Sequence, residues 1–149
     1  MRRILRCRMS LLVDLSDVFA FFADATNLER ITPPELKFQI ITPRPITINA
    51  GTVIDHRLKL MGIPFRWQSR ITCWEPLRCF IDEQTLGPYK TWIHTHRFCQ
   101  RGDETEIEDE VAYELPYGRI GEVLYPVVRL QLERIFRFRK RTITVYCGA

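Results

Sequence analysis

Gly87-Pro88-Tyr89-Lys90-Thr91-Trp92-Ile93-His94-Thr95-His96-Arg97-Phe98, followed by Thr105-Glu106-Ile107-Glu108-Asp109-Glu110-Val111-Ala112-Tyr113-Glu114-Leu115, is the stretch whose reading decides the fold. Thr105, Ile107, Asp109, Val111, Tyr113 and Leu115 share one parity, and Glu104, Glu106, Glu108, Glu110 and Glu114 share the other. Successive side chains of a strand point to opposite faces, so the glutamates face water and the odd set faces the interior. In the first half Trp92, His94, His96 and Phe98 share the inward face. With Arg101-Gly102 as the turn, His94 lies opposite Asp109 and Trp92 opposite Val111. An inward face carrying Trp, two His, Asp and Tyr is too polar for a plain core. It reads as the wall of a cavity.

Working back from the hairpin, the signals stay β as far as Lys37. Gly51 to Leu60 and Ile63 to Trp74 pair across a Met61-Gly62 turn. That pairing collects Ile54, His56, Leu58 and Leu60 with Phe65, Trp67, Ser69 and Ile71 on one face. Asp55, Arg57 and Lys59 join Arg66, Gln68 and Arg70 on the other, the pattern of an antiparallel sheet with one wet side. Glu75-Pro76-Leu77 turns the chain into Cys79 to Leu86. Pairing Ile71 with Phe80 there turns Phe80, Asp82 and Gln84 inward, and one extra turn residue would flip all of them. Phe38 to Thr42 is a short strand confined to an edge by Pro43 and Pro45.

Nearer the N-terminus, Ile4 to Val13 alternates as a strand, and Asp14 with Asp17 stands in the capping-box positions of a helix over Leu15 to Ala23. A second short helix spans Ala25 to Ile31. Pro33-Pro34 ends it, and Pro33-Pro34-Glu35-Leu36 reads either as a lid over a cavity mouth or as a stiff connector. Beyond the hairpin, Ile120, Leu124, Val128, Leu132, Ile135 and Phe136 recur at helical spacing, which predicts a long helix to about Thr144 with a kink from Pro126 near Glu122 to Tyr125. A one-faced sheet needs its apolar side covered, and only this helix is large enough. A curved sheet gripping a helix leaves a hollow between them, where the inward polar residues point.

The composition is that of a folded protein, with 149 residues, 46% hydrophobic and 27% charged, and one domain over 1–149 is expected. The net charge of +4 comes from arginine-rich ends, Arg2, Arg3, Arg6 and Arg8, then Arg134, Arg137, Arg139, Lys140 and Arg141. No nucleic-acid module accompanies them, so no nucleic-acid partner is expected. A basic last helix leaves docking to a partner or membrane surface as one reading. No apolar run is long enough to span a bilayer, which argues against stable membrane insertion. The five cysteines form no CxxC, and no signal-peptide pattern is visible, so reduced thiols and a cytoplasmic protein are expected.

Order and residues together resemble the START-like, polyketide-cyclase/dehydrase (SRPBCC) superfamily, an α+β helix-grip fold. The matching text runs from Asp17 to Leu28, then Thr32-Pro33-Pro34, Gly62-Ile63-Pro64 with Trp67, and Phe80 to Gln84. Its strongest part is Gly87-Pro88-Tyr89, Trp92, His94, His96 and Phe98, with Asp109, Val111, Tyr113, Pro116 and Gly118 after it, and Phe138-Arg139 stands where the last helix carries a recurrent aromatic-arginine pair. Within the superfamily the chain is similar to small ligand-binding proteins whose relatives are also fused to nucleotide-sugar-epimerase-like domains. The resemblance implies a curved sheet of about seven strands around a long C-terminal helix, with two short helices after the first strand. It also implies a hydrophobic or amphipathic ligand, lipid-, polyketide- or isoprenoid-like. It admits an epimerase-like partner and a monomer or weak dimer.

The inward set that would meet such a ligand is His56, Trp67, Asp82, Gln84, Trp92 and His94, with His96, Asp109, Val111, Tyr113 and Arg139. Asp109 could orient one ring nitrogen of His94 and leave the other for proton transfer, as a cyclase or dehydratase would need, or the two could simply satisfy each other. His94-Thr95-His96 also places two imidazoles on one strand face, with His56 or Asp109 as a possible third zinc ligand. An HxH pair alone is weak, so no metal is expected. There is no nucleophile elbow and no glycine-rich phosphate loop, and no cofactor is expected.

Overall fold

The period-two patterning produces seven antiparallel strands in one sheet, in the order β1-β7-β6-β5-β4-β3-β2. The structure is a computed structural model and describes residues 1–147. The elements are β1 (Arg3–Leu11), α1 (Leu15–Phe22), α2 (Asn27–Arg30), a 3₁₀ turn (Pro34–Leu36), β2 (Gln39–Ile40), β3 (Val53–Leu60), β4 (Ile63–Glu75), β5 (Cys79–Leu86), β6 (Thr91–Arg101), β7 (Glu104–Glu114), α3 (Gly118–Val123) and α4 (Tyr125–Cys147). β1 pairs with the last strand, so β1 and β2 form opposite edges. The chain must cross from one edge to the other between them. α1, α2 and the 3₁₀ turn make that crossing and close one end of the inner face. α4 covers the rest.

The faces follow the alternation, but two registers differ from the expected ones. β6 and β7 join through Gly102-Asp103, with Arg101 opposite Glu104. Gly102 takes the first central position at φ 64, a conformation glycine adopts without steric cost. Trp92 therefore faces Tyr113, His94 faces Val111 and His96 faces Asp109, two residues along from the pairing expected for an Arg101-Gly102 turn. A shift of two preserves parity, so every inward residue stays inward. At the β4–β5 connection Ile71 lies opposite Asp82, not Phe80, and Thr72 is the extra residue of a bulge between Ile71 and Cys73. The bulge turns Trp74 to the same side as Phe80, and their rings meet at 5.4 Å.

The helices differ more. The Asp14 side chain makes no capping bond. Instead the Leu15 N–H donates to Gln100 Oε1 at 3.0 Å, which ties α1 to β6. The last helix is interrupted at Leu124, inside the Glu122 to Tyr125 stretch where the kink was expected, with α3 ending at Val123 and α4 starting at Tyr125. Pro126 falls in the first turn of α4, where its missing N–H costs nothing. The break ends the helical phase that joined Ile120 and Leu124 to the stripe. Both are exposed, and the buried face of α4 is Val128, Leu132, Phe136 and Ile143.

Candidate functional site

The hollow lies between β3–β6 and the middle of α4, with a volume of about 140 Å³. That is close to the roughly 150 Å³ engineered cavity that takes up a benzene molecule. Most of the wall is apolar. Ile54, Leu58 and Leu60 come from β3, and Leu132, Ile135 and Phe136 from α4. Phe22 and Ile31 come from the α1–α2 end, and Leu36 of the 3₁₀ turn also lines the hollow. Arg134 Nε of α4 donates to Glu35 Oε1 at 2.9 Å, so the Pro33–Leu36 segment is strapped to α4 and also borders the hollow.

Seven of the sequence-predicted ligand contacts line this wall: His56, Trp67, Asp82, Trp92, His94, His96 and Arg139. Gln84, Asp109, Val111 and Tyr113 do not. Gln84 shares their parity, but its amide is spent on the following turn. Its Nε2 donates to the Tyr89 carbonyl at 2.7 Å, and its Oε1 accepts from the Tyr89 N–H at 3.1 Å. Gly87 leaves room for this arrangement, because a Cβ there would displace the Gln84 amide. Asp109, Val111 and Tyr113 all belong to β7, which contributes nothing to the wall. Val111 and Tyr113 pack in one cluster with Leu132 and Phe136, α4 residues that themselves line the hollow. The wall residues that the expected contact set left out include Phe22, Ile31 and Tyr89, with Leu36 read there only as part of a lid or connector and Leu132 and Ile135 only as a covering stripe. Their type and spacing are those of ordinary core, so no sequence signal separates them from it.

Four polar side chains meet on β5, β6 and β7. Asp82 is directly opposite His94, and Asp109 directly opposite His96. Each acid nevertheless bonds the diagonal imidazole. His94 Nε2 donates to Asp109 Oδ1 at 2.8 Å, and His96 Nε2 donates to Asp82 Oδ2 at 2.7 Å. The expected His94–Asp109 pair therefore forms, but along the diagonal. The two rings stack with centroids 3.7 Å apart. His94 Nδ1 stands 3.9 Å from Asp82 Oδ2, and His96 Nδ1 stands 3.2 Å from Asp109 Oδ1, too poorly aligned for a hydrogen bond.

Burial works against ionising Asp109, but the contacts from His94 and His96 outweigh it and hold its carboxyl well below the usual range. Burial opposes ionisation of Asp82 too, and the His96 hydrogen bond and the nearby His94 overcome it. The imidazoles split. Burial, together with the charge of His96, pushes His94 down despite its bond to Asp109. His96 is also penalised by burial, yet its contacts with Asp109 and Asp82 raise it. The two imidazoles are thus pushed in opposite directions, and His94 keeps Nε2 on Asp109. His56 lies apart from this group, between Phe38 (4.6 Å) and Trp67 (5.9 Å). Burial pushes it down to about 4 against the opposing pull of Asp82 and Asp55.

Arg139 projects from α4 into the same space. Its guanidinium carbon lies 5.1 Å from the centre of the Phe136 ring, and its Nε is buried without a hydrogen-bond partner among the described residues.

A sheet wrapped on a long helix, with a partly polar cleft between them, is the architecture of START-like helix-grip proteins, and this chain has that fold. Solved structures agree. The ginseng major latex-like protein 151 of Panax ginseng superposes with a TM-score of 0.72 at 13% identity, covering 100% of this chain and 99% of that one. The Zhui aromatase/cyclase of Streptomyces sp. R1128 gives 0.70 at 16% identity, covering 100% of both chains. TTHA0849 of Thermus thermophilus gives 0.73 at 16% identity, covering 97% and 99%. No family model and no curated protein matches the chain. Among the described residues no helix is long and apolar enough to cross a membrane.

Proposed function

We propose that the protein binds a small amphipathic molecule between the sheet and α4. The observation that carries this reading is the polar cluster Asp82–His94–His96, with Arg139, set into a mostly apolar wall. A cavity that served only packing would have no use for these groups, whereas a ligand with an apolar body and one polar end would use both surfaces. The volume suits a single ring or short chain rather than an extended lipid. Arg139 would meet a carboxylate or phosphate at that polar end.

Native mass spectrometry of protein purified from its own host tests this directly, because a retained ligand adds its mass. Quenching of Trp67 and Trp92 fluorescence by an apolar probe gives a second readout. Ile135→Trp, which fills the hollow, should abolish the probe signal with the fold intact by circular dichroism. Probe binding unchanged in Ile135→Trp would overturn the proposal.

One observation favours a second reading as an enzyme of the cyclase or dehydratase kind. His94, held by Asp109 through Nε2, presents Nδ1 as an acceptor on the cavity side. An aromatase/cyclase of the same fold makes this chemistry compatible with the scaffold. His94→Gln should then stop turnover while ligand still binds. Weakened binding with no turnover in either protein returns the site to a binding role.

A further inference from the structure

We propose that Asp82, His94 and His96 bind one divalent first-row transition-metal ion on the cavity wall, with Asp109 as the acid behind both imidazoles. This goes beyond ligand binding and does not depend on which organic molecule the cavity takes.

The donors are placed for it. His94 and His96, two apart on β6, project from one sheet face, and Asp82 stands beside them on β5. One donor atom from each side chain can be chosen so that all lie within 4.8 Å of one another. Asp82 Oδ2 is 2.7 Å from His96 Nε2 and 3.9 Å from His94 Nδ1. Tetrahedral bonds of about 2.0–2.1 Å put neighbouring donors about 3.3 Å apart, so side-chain shifts on the order of an ångström would seat an ion.

The outer nitrogens make the stronger argument. A metal-bound imidazole donates its remaining N–H to a carboxylate or carbonyl that fixes its tautomer. Here both outer nitrogens converge on one buried oxygen. His94 Nε2 is 2.8 Å and His96 Nδ1 is 3.2 Å from Asp109 Oδ1. His96 Nδ1 is buried without an aligned hydrogen bond while Nε2 is engaged by Asp82. With Nε2 on an ion, the ring would carry its proton on Nδ1 and donate a hydrogen bond from it to Asp109. The orphaned atom and the doubly approached carboxylate then both have a role. The ion would replace the His96–Asp82 hydrogen bond, which is the form that competes with it.

Two imidazoles and one carboxylate select zinc, ferrous iron or cobalt over magnesium or calcium. All three ligands line the cavity, so further coordination positions open onto it. Arg139, on the same wall, would oppose a bare cation and favour an anion, hydroxide or carboxylate, in an open position.

A second group, Cys73, Glu75 and Cys79 at the β4–β5 connection, must be separated from this one. The test is titration of the chelator-treated full chain with cobalt(II) alone, followed by visible absorption. The expected result is one ion per chain with ligand-field bands and no thiolate charge-transfer band. Affinity should fall at least about thirtyfold in His94→Ala and Asp82→Ala, about 10- to 100-fold in Asp109→Asn, and not at all in Cys79→Ser. Competition by zinc(II) and, without oxygen, iron(II) identifies the preferred ion. Should the alanine variants not fold, the imidazole nitrogen signals of wild-type His94 and His96 should shift on adding zinc(II). No binding at millimolar cobalt, a thiolate band lost in Cys79→Ser, or unmoved imidazole signals overturns the proposal.

Discussion

The two halves of the inner sheet face are made by the same strands and end differently. Toward the α1 end, Phe98 and Ile107 pack against Val18, Phe19 and Ile143 into a close-packed core, with Phe22 at its boundary with the hollow. Phe19 and Phe22 both meet Phe98, with ring centroids 5.2 and 5.3 Å apart. A few residues back along β6, Trp92, His94 and His96 point the same way and border a hollow. What differs is the cover. α1 and the C-terminal end of α4 both press on the first half, whereas over the second α4 lies to the β7 side and leaves β3–β6 open. The same inward parity thus yields core or binding wall according to what lies above it.

The comparison is most strongly challenged by Phe98→Ala. In a filled, aromatic-lined site it should cost about 3–5 kcal/mol in denaturant unfolding, because the surroundings cannot collapse into the space. The hollow half should respond to pH next. His56 falls from an ordinary 6.5 to about 4 because it is buried. A folded-state value below the unfolded one means the unfolded chain binds more protons between those limits. Stability should therefore be full above about pH 6.5 and decline toward pH 4, by about 3 kcal/mol at most. His56→Phe should flatten that part of the acid limb in melts recorded across pH. An unchanged acid limb in His56→Phe would place the loss elsewhere.

Smaller effects sharpen the contrast. Leu36→Ala, at a wall with space already beside it, should cost about 2 kcal/mol, the low end for a buried leucine. If it costs as much as Phe98→Ala, the two halves are equally filled. Asp109→Asn keeps shape but gives up the charge facing two imidazoles, and about 1–3 kcal/mol should be lost at pH 7. The smallest change belongs to the outer face. Arg8 Nε donates to Glu108 at 2.9 Å in solvent, and Arg8→Ala should move stability by less than about 1 kcal/mol.

Much of this was legible in the chain. The alternation in Thr105–Leu115 and Trp92–Phe98 reads directly as two faces, and the burial of Trp92, His94, His96, Asp109, Val111 and Tyr113 follows it. The helical spacing of Val128, Leu132 and Phe136 reads as a covering helix, although Ile120 and Leu124 fell outside it once the break at Leu124 changed the phase. The candidate site was less legible. Gln84 looked identical to Asp82 in pattern, and only the turn it braces removes it from the wall. The His94–Asp109 pair was expected from direct opposition, and it arises from a diagonal across a register shifted by two.

The division has a physical cause. Facing is a local property, because side chains alternate every residue along a strand and any shift of two leaves them where they were. Sequence alone was therefore enough to say which residues of this protein point inward. Register depends on the turn at Gly102-Asp103 and on two irregularities in the β4–β5 pair, at Thr72 and between Gln68 and Ser69. Whether an inward residue meets protein or empty space depends on where α4 and the α1–α2 crossing come to rest. Those are contacts between parts of the chain far apart in sequence. Only the tertiary structure brought Asp82 to His96 and Asp109 to His94, and left a hollow beside them.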